Sequence, residues 1–170
     1  MGRDATKATG NPWFEARKNA AKYDERLYSR EGAAEMLGMS VSSVADAELG
    51  TQKCMPVDKA VLMADLYKAP QLLNYYCLNE CPIGCRHPIS DRVQDIDRVT
   101  VKLLKNLRLK DLEEVKERLL EIAEDGIISE DEMREMQKIH EYFDSLGKII
   151  SELNITYEIA KNGGKKDDRE

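Results

Sequence analysis

The chain has 170 residues and a mass of 19.3 kDa, with 26 Lys and Arg against 32 Asp and Glu and a formal net charge of -6. Charged residues make up 34% and aromatic residues only 6%, which is typical of a charge-rich helical protein and argues against a β-sandwich. No apolar run has the length of a membrane span and no secretory leader opens the sequence, so we expect a cytoplasmic protein without a membrane partner.

The excess of acid is confined to the second part of the chain. Residues 1–88 carry 11 basic and 11 acidic side chains, whereas residues 89–170 carry 15 basic and 21 acidic ones. The two Pro and the Gly between Cys81 and Pro88 interrupt helices and indicate a boundary. The sequence therefore predicts four segments: a first domain at 10–80, a linker at 81–90, a helical region at 91–161 and a disordered tail at 162–170.

The first domain has the pattern of five short helices. Asn11, Ser29 and Ser40 are predicted to cap the first three, and Gly38 and Gly50 to end the second and third. The fourth and fifth follow at 57–67 and 72–76. One face of the first helix carries Trp13, Ala16, Ala20, Tyr23 and Leu27.

The first helix is also predicted to carry a basic patch. Lys18, Lys22 and Arg26 are spaced four residues apart, and Arg17 lies beside Lys18. Such a patch either solvates the helix or contacts phosphates, and the sequence does not decide between the two.

The second region has apolar residues at alternating spacings of three and four, which is typical of a helical hairpin or coiled coil. Ser129 to Glu132 form a predicted capping box before the last helix. The predicted stripes are Val93, Ile96, Thr100, Leu103 and Leu107, then Leu112, Val115, Leu119 and Ile122, then Met136, Ile139, Phe143, Leu146, Ile150, Leu153 and Tyr157. Stripes this narrow on charged helices need a partner, either within the chain or in a second copy.

The stretch from Ser29 to Gly50, SREGAAEMLGMSVSSVADAELG, has the spacing of a helix-turn-helix. Small residues at Ala33 and Ala34 let two helices cross closely, and Gly38 permits the left-handed turn between them. The pattern continues through Val44, Glu48-Leu49-Gly50, Pro56 and Leu62-Met63-Ala64-Asp65-Leu66.

On these residues the chain resembles the XRE family, the phage-repressor and Cro-like helix-turn-helix regulators, over about residues 12–76. The resemblance implies an all-α fold with a five-helix DNA-binding domain, a recognition helix at 41–48 in the major groove, and a homodimer on double-stranded DNA. Val41, Ser42 and Asp46 would face bases. Arg30, Ser43, Thr51, Gln52 and Lys53 would face the phosphate backbone.

The predicted recognition helix departs from a strong DNA binder. It contains no Lys, Arg, Asn or Gln, so the bidentate base contacts that give most discrimination are missing. Asp46 would repel phosphate unless its carboxylate accepts from a cytosine amino group. The alternative is a protein-binding adaptor that keeps the helix-turn-helix fold and no longer reads DNA.

The cysteines suggest a further alternative, a metal- or redox-responsive protein. Cys77, Cys81 and Cys85 are spaced by four residues and His87 follows, a set with enough ligands for zinc or, with an outside ligand, an iron-sulfur cluster. The other interpretation is a group of structural thiols without a cofactor.

The sequence gives little support for an enzyme. It holds only two His, His87 and His140, and it has neither a Gly-rich phosphate loop nor a recognisable pair of nucleophile and base.

Overall fold

The structure is a computed structural model that describes residues 7–51, 54–124 and 127–163. Within these ranges it has eight α-helices, two short 3-10 helices and no strand, which confirms the all-α prediction. The α-helices are α1 (Pro12–Ala20), α2 (Arg30–Leu37), α3 (Val41–Leu49), α4 (Val57–Leu66), α5 (Gln71–Asn79), α6 (Ile96–Asn106), α7 (Leu109–Ile122) and α8 (Glu130–Gly163), and the 3-10 helices are Glu25–Tyr28 and Gly84–Arg86.

The predicted helix ends in the first three helices are confirmed. The Asn11 side chain accepts from the amides of Trp13 and Phe14, and the Ser29 and Ser40 hydroxyls accept from amides in the first turns of α2 and α3. Gly38 and Gly50 follow α2 and α3 with φ of 60° and 65°, the left-handed conformation that satisfies the last carbonyls.

The predicted extent of the first helix is wrong. α1 ends at Ala20, and Asp24 caps the separate 3-10 helix Glu25–Tyr28 by accepting from the amide of Arg26. Leu27 is buried, as its spacing suggests, but Tyr23 is 76% exposed. The apolar spacing therefore continues across a break in the helix. The Asp24 side chain caps a new 3-10 helix at this point, and this local hydrogen bond competes with a continuous α-helix.

The chain divides into two compact units, one up to Arg86 together with the residues from Glu158, the other His87–Tyr157. The first unit has one apolar core, in which alanines on α1, α2 and α4 allow close helix packing. Its largest fully buried apolar side chains are Trp13, Leu27, Val44, Met63 and Leu72.

The second unit contains α6, α7 and most of α8, and its buried set is small. Its buried apolar side chains are Val99, Ile122, Ile139, Ile149 and Ile155. The buried Glu152 carboxylate accepts from Lys102 Nζ at 2.6 Å and from the Ser90 hydroxyl at 3.0 Å. These contacts attach the segment before α6, and α6 itself, to α8.

The apolar stripes predicted for this region are buried only in part. On α6 the fully buried residue is Val99, which the predicted stripe omits, whereas Ile96 is 53% exposed. On α8 the predicted seam splits into two columns. One column, of Ile139, Leu146 and Leu153, is buried or half-buried. The other begins at the half-buried Met136 and continues with Phe143, Ile150 and Tyr157, which are exposed.

The ends of α8 bear on two further predictions. Glu132 N donates to the Ser129 hydroxyl and Ser129 N donates to the Glu132 carboxylate, which confirms the predicted capping box. α8 extends to Gly163, beyond the predicted start of the tail at 162, and the rest of that tail, 164–170, lies outside the described residues.

None of the helices in the described ranges combines the length and the apolar character that crossing a bilayer requires.

Candidate nucleic-acid interface

The connection between α2 and α3 is a tight turn of three residues. Gly38 N and Met39 N donate to the carbonyls of Glu35 and Ala34, and Ser40 then caps α3. Ala33, Ala34 and Leu37 on α2 are buried against Val44 and Ala47 on α3. This packing leaves the opposite face of α3 exposed.

Val41, Ser42 and Asp46, the three residues predicted to face bases, lie on the exposed side of α3. Val41 is 40% exposed, and the Ser42 hydroxyl lies 2.9 Å from that of Ser40. Asp46 accepts a hydrogen bond of 2.8 Å from the Thr51 hydroxyl. The face therefore presents methyl groups, a hydroxyl and one carboxylate that is engaged within the chain.

The residues predicted to contact phosphates are placed less uniformly. Ser43 is half-buried and its hydroxyl lies 2.8 Å from that of Ser40, while Thr51 is exposed beside Asp46. Arg30 is at the start of α2 with 31% of its side chain exposed. Gln52 and Lys53 lie outside the described residues.

A buried ion network anchors α3 to the two preceding helices. The carboxylate of Glu48 is fully buried and accepts from Arg17 Nε at 2.5 Å, from Arg17 Nη2 at 3.0 Å and from Arg30 Nε at 2.7 Å. Arg17 Nη1 donates to the carbonyls of Leu27 and Tyr28. Every nitrogen of the buried Arg17 guanidinium is therefore hydrogen-bonded, which such a charge requires inside a protein.

Further contacts hold α3 at its C-terminal end and α1 at its start. Asn11 Nδ2 donates to the carbonyl of Ala47 at 3.1 Å, so the residue that caps α1 also binds the last turn of α3. Glu48 lies near the end of α3, and it pairs with residues of its own domain. Its partners Arg17 and Arg30 are not evident from the sequence, since they are 31 and 18 residues away.

The predicted basic patch on the first helix is not formed. Arg17 is buried in the ion network, and Lys22 and Arg26 follow the end of α1. Arg26 pairs with Asp24 at 2.7 Å, and this pairing lowers the pKa of Asp24. Of the predicted patch, Lys18 is the residue that stays on the surface of α1. Its ammonium lies above the rings of Phe14 and Tyr28, at 5.7 and 6.0 Å from their centroids.

Lys18 and Arg30 line one shallow groove at the edge between α1 and α2, together with Phe14, Tyr28 and Glu31. Three positive charges, of Arg17, Lys18 and Arg30, lie here against two carboxylates, of Glu48 and Glu31, so one positive charge is in excess. The edge beside the start of α2 is therefore locally cationic.

The predicted metal ligands are not gathered into a site. Within the described ranges no three His, Cys, Asp or Glu side chains come together as metal ligands. Cys81 Sγ accepts from Gly84 N at 3.3 Å, and Cys85 Sγ donates to the carbonyl of Pro82 at 3.4 Å. The turn after α5 directs two of the thiols to its own backbone, and a zinc or iron-sulfur site at Cys77, Cys81, Cys85 and His87 stays a prediction.

Compared with models of known protein families, with curated proteins and with solved structures, the chain has no significant match in any of the three.

Proposed function

We propose that the chain is a DNA-binding transcriptional regulator that reads DNA with α3 of a helix-turn-helix formed by α2 and α3, as a homodimer. The observation that carries the proposal is the combination of an exposed α3 face with a buried network that fixes the same helix. A recognition helix must be solvent-exposed on one side and rigidly held on the other.

The contacts available on α3 predict the mode of reading. The Ser42 hydroxyl can donate or accept at a base edge, and the Val41 methyls can contact a thymine methyl. No Lys, Arg, Asn or Gln is present on α3 to give bidentate base contacts. Base discrimination by one domain is therefore weak, and DNA shape and paired half-sites supply the rest.

The cationic edge with Lys18 and Arg30 supports a phosphate contact beside the recognition helix. Arg30 is in the first turn of α2, where backbone amides also point outward and favour an anion. Phosphate contacts fix the register of a protein on DNA and make its affinity depend on salt.

The exposed column of α8 supports pairing of two chains. Phe143, Ile150 and Tyr157 are 45%, 44% and 62% exposed and are seven residues apart, the spacing of one position in a heptad. A second copy could cover this column, and a dimer would present two α3 helices to two half-sites.

The proposal is tested by selecting duplexes from a random library with the full chain. The affinity of the best duplex is then compared with that of its scrambled version by fluorescence anisotropy, from about 50 to 200 mM salt. We expect the selected duplex to bind at least about tenfold more tightly, with log affinity falling linearly against log salt. Selection without enrichment would contradict the proposal.

A substitution on α3 separates DNA contact from folding. Ser42→Asp places a negative charge on the exposed face, where it would repel phosphate, yet an acidic side chain in the first turn favours the helix. We expect Ser42→Asp to abolish the preference for the selected duplex without lowering stability. The matched control is Ser145→Asp, an exposed serine on α8, which should leave DNA binding unchanged.

A second candidate function, a protein-binding adaptor, is favoured by one specific observation. On α4, Val57, Val61 and Leu62 are 61%, 41% and 44% exposed, which is a large apolar exposure for one ten-residue helix. If the adaptor function is correct, the selection enriches no sequence, and Ser42→Asp has no effect on the weak binding of DNA that remains.

A further inference from the structure

The turn after α5 brings two cysteines within one helical turn of each other. Cys85 N donates to the carbonyl of Cys81 at 3.1 Å, which closes a single turn between the two residues. In such a turn the two Cα atoms are about 6 Å apart, because each of the four steps rises by about 1.5 Å. This separation lies within the range of about 4.4 to 6.8 Å that disulfides span.

Backbone contacts hold this turn against the end of α5. Cys81 N donates to the carbonyl of Tyr76 at 3.0 Å. Gly84 packs so closely on Cys77 that a Cβ at Gly84 would lie 2.6 Å from the Cys77 carbonyl oxygen and 2.8 Å from its Cα. These contacts anchor the turn at Cys81 N and at Gly84, while the side chain of Cys85 takes part in neither.

The thiols of the chain are all free, and they differ in accessibility. Cys85 is exposed, so its sulfur can meet a reagent in solution, whereas Cys77 and Cys81 are half-buried. Cys85 Sγ donates to the carbonyl of Pro82, and Cys81 Sγ accepts from Gly84 N. Sulfur is a weak donor and a weak acceptor, so each thiol can leave its partner at small cost. The turn thus combines one accessible thiol with one shielded thiol.

Cys77 is the competing partner for Cys81, because it is also four residues away. On an α-helix the Cβ atoms of residues four apart are about 5 to 6 Å apart, whereas a disulfide needs about 4 Å. Joining Cys77 to Cys81 therefore requires the last turn of α5 to unwind. Between Cys81 and Cys85 the chain is outside any α-helix, so it can tighten without that cost.

We propose that Cys81 and Cys85 form a reversible disulfide by reaction with a small-molecule disulfide of the glutathione class. The Cys85 thiolate attacks one sulfur of oxidised glutathione, which gives a mixed disulfide and releases one glutathione thiolate. The Cys81 thiolate then attacks Cys85 Sγ, and the second glutathione leaves as its thiolate. The two protein thiols lose two electrons and two protons, and oxidised glutathione takes them up to become two molecules of the thiol.

The residue before Cys81 connects the pair with the segment that follows α3. The Glu80 carboxylate accepts from Met55 N at 2.8 Å, and Met55 is buried. Closing the disulfide changes the backbone next to Glu80, so we expect it to disturb this hydrogen bond. An effect on DNA binding would rest on the proposed function, whereas the disulfide and its effect on Met55 do not.

The disulfide is tested by incubating the full chain with mixtures of reduced and oxidised glutathione near neutral pH. Free thiols are blocked with iodoacetamide, disulfides are then reduced and labelled with N-ethylmaleimide, and tandem mass spectrometry assigns each label to a cysteine. We expect the second label on Cys81 and Cys85 together, the first label on Cys54 and Cys77, and full reversal by excess reduced glutathione. A second label on Cys77 and Cys81 instead would overturn the proposal.

Three variants assign the two steps to individual sulfurs. Cys81→Ser removes the thiol that resolves the mixed disulfide, so we expect it to retain one glutathione on Cys85. Cys85→Ser removes the accessible thiol and should form no disulfide. Cys77→Ser is the matched control, at the same spacing on the other side of Cys81, and should oxidise as the parent does. Equal oxidation of Cys85→Ser and the parent would overturn the proposal.

The effect on Met55 is measured at its backbone amide in the ¹⁵N-labelled full chain. We expect the Met55 signal to shift on oxidation of the parent and of Cys77→Ser, but not of Cys85→Ser. An unchanged signal in the fully oxidised parent would overturn the connection to Met55. Zinc or iron retained in stoichiometric amount by the reduced chain would assign the thiols to the predicted metal site, and it would overturn the disulfide.

Discussion

Glu48 shows how one residue determines the orientation of a helix. Its carboxylate receives three hydrogen bonds from Arg17 and Arg30, on α1 and α2, and so ties α3 to both of these helices. A buried pair of this kind contributes little net stability, because desolvation offsets most of the attraction. Removing one partner is costly, however, because the other charge stays buried alone.

We expect Glu48→Gln to destabilise the protein by about 3 kcal/mol, because the Arg17 guanidinium keeps its charge and loses its counterion. Urea unfolding followed by circular dichroism measures the change. Glu31→Gln, at an exposed position on α2, is the control and should change stability by no more than about 0.5 kcal/mol. Equal effects of the two substitutions would contradict the role given to Glu48.

The cysteines differ in their surroundings, although the sequence places them at equal spacing. Burial and the neighbouring Cys81 raise the pKa of the Cys77 thiol. A raised pKa leaves less thiolate at neutral pH, and the thiolate is the form that reacts. Cys85, by contrast, is exposed at the turn.

We therefore expect iodoacetamide to modify Cys77 more slowly than Cys85 in the folded protein at pH 7.5. The rate at Cys77 should rise as the pH increases, because deprotonation follows the raised pKa. Mass spectrometry of the two peptides measures both rates, and in concentrated urea they should converge. Faster modification of Cys77 in the folded state would contradict this account.

At the scale of elements, local chemistry determines the helix ends and tertiary contacts determine the rest. The caps at Asn11, Ser29 and Ser40 are predictable because each cap bonds within three residues of itself. The break after Ala20 was not predicted, because the apolar spacing continues across it to Leu27.

The buried faces of the second unit were also predicted only in part, and for a related reason. Apolar residues exceed what one face of α6 can bury, so the pattern does not identify Val99 as the buried residue. The partners of Glu48 could not be predicted at all, because a contact between residues 31 positions apart depends on the packing of three helices. The exposed α3 face, by contrast, follows from the turn spacing.

Gly32 on α2 provides a test of packing between elements. A Cβ at this position would clash with the backbone carbonyl of Arg26, at the close approach of the 3-10 helix to α2. Helix propensity alone favours Ala over Gly by about 1 kcal/mol. We expect the clash to outweigh it, so that Gly32→Ala destabilises the protein by about 2 kcal/mol in urea unfolding.

The control for this substitution is Glu35→Ala on the same helix, at an exposed position, which should be neutral or slightly stabilising. An increase in stability for Gly32→Ala would show that the backbone of the 3-10 helix can move away at little cost.

At the scale of the whole molecule, the two units differ in how completely they bury their apolar residues. The first has a single core with fully buried Trp13 and Met63, whereas the second leaves Leu104, Leu109 and Leu120 at least 62% exposed. Exposure on this scale is unusual for an isolated unit. The proposed pairing of two chains would cover part of this surface.

We expect the full chain to sediment as a dimer, and Ile150→Lys to shift it to monomer by placing a charge in the exposed column of α8. Analytical ultracentrifugation measures the shift, and circular dichroism should show unchanged helix content. Gln137→Lys adds the same charge at an exposed position on α8 outside the column and should remain dimeric. A monomeric parent chain would remove the basis for pairing through α8.

The separation of the two faces of α3 has a consequence for how the protein could change over time. The buried contacts described for this helix, from Val44 and Ala47 to the Glu48 carboxylate, lie on its inner side. Substitutions at Val41 and Ser42 therefore cost the fold little and can be sampled freely. The domain is a scaffold on which a new target preference can arise by one or two surface changes, with no compensating change in the core.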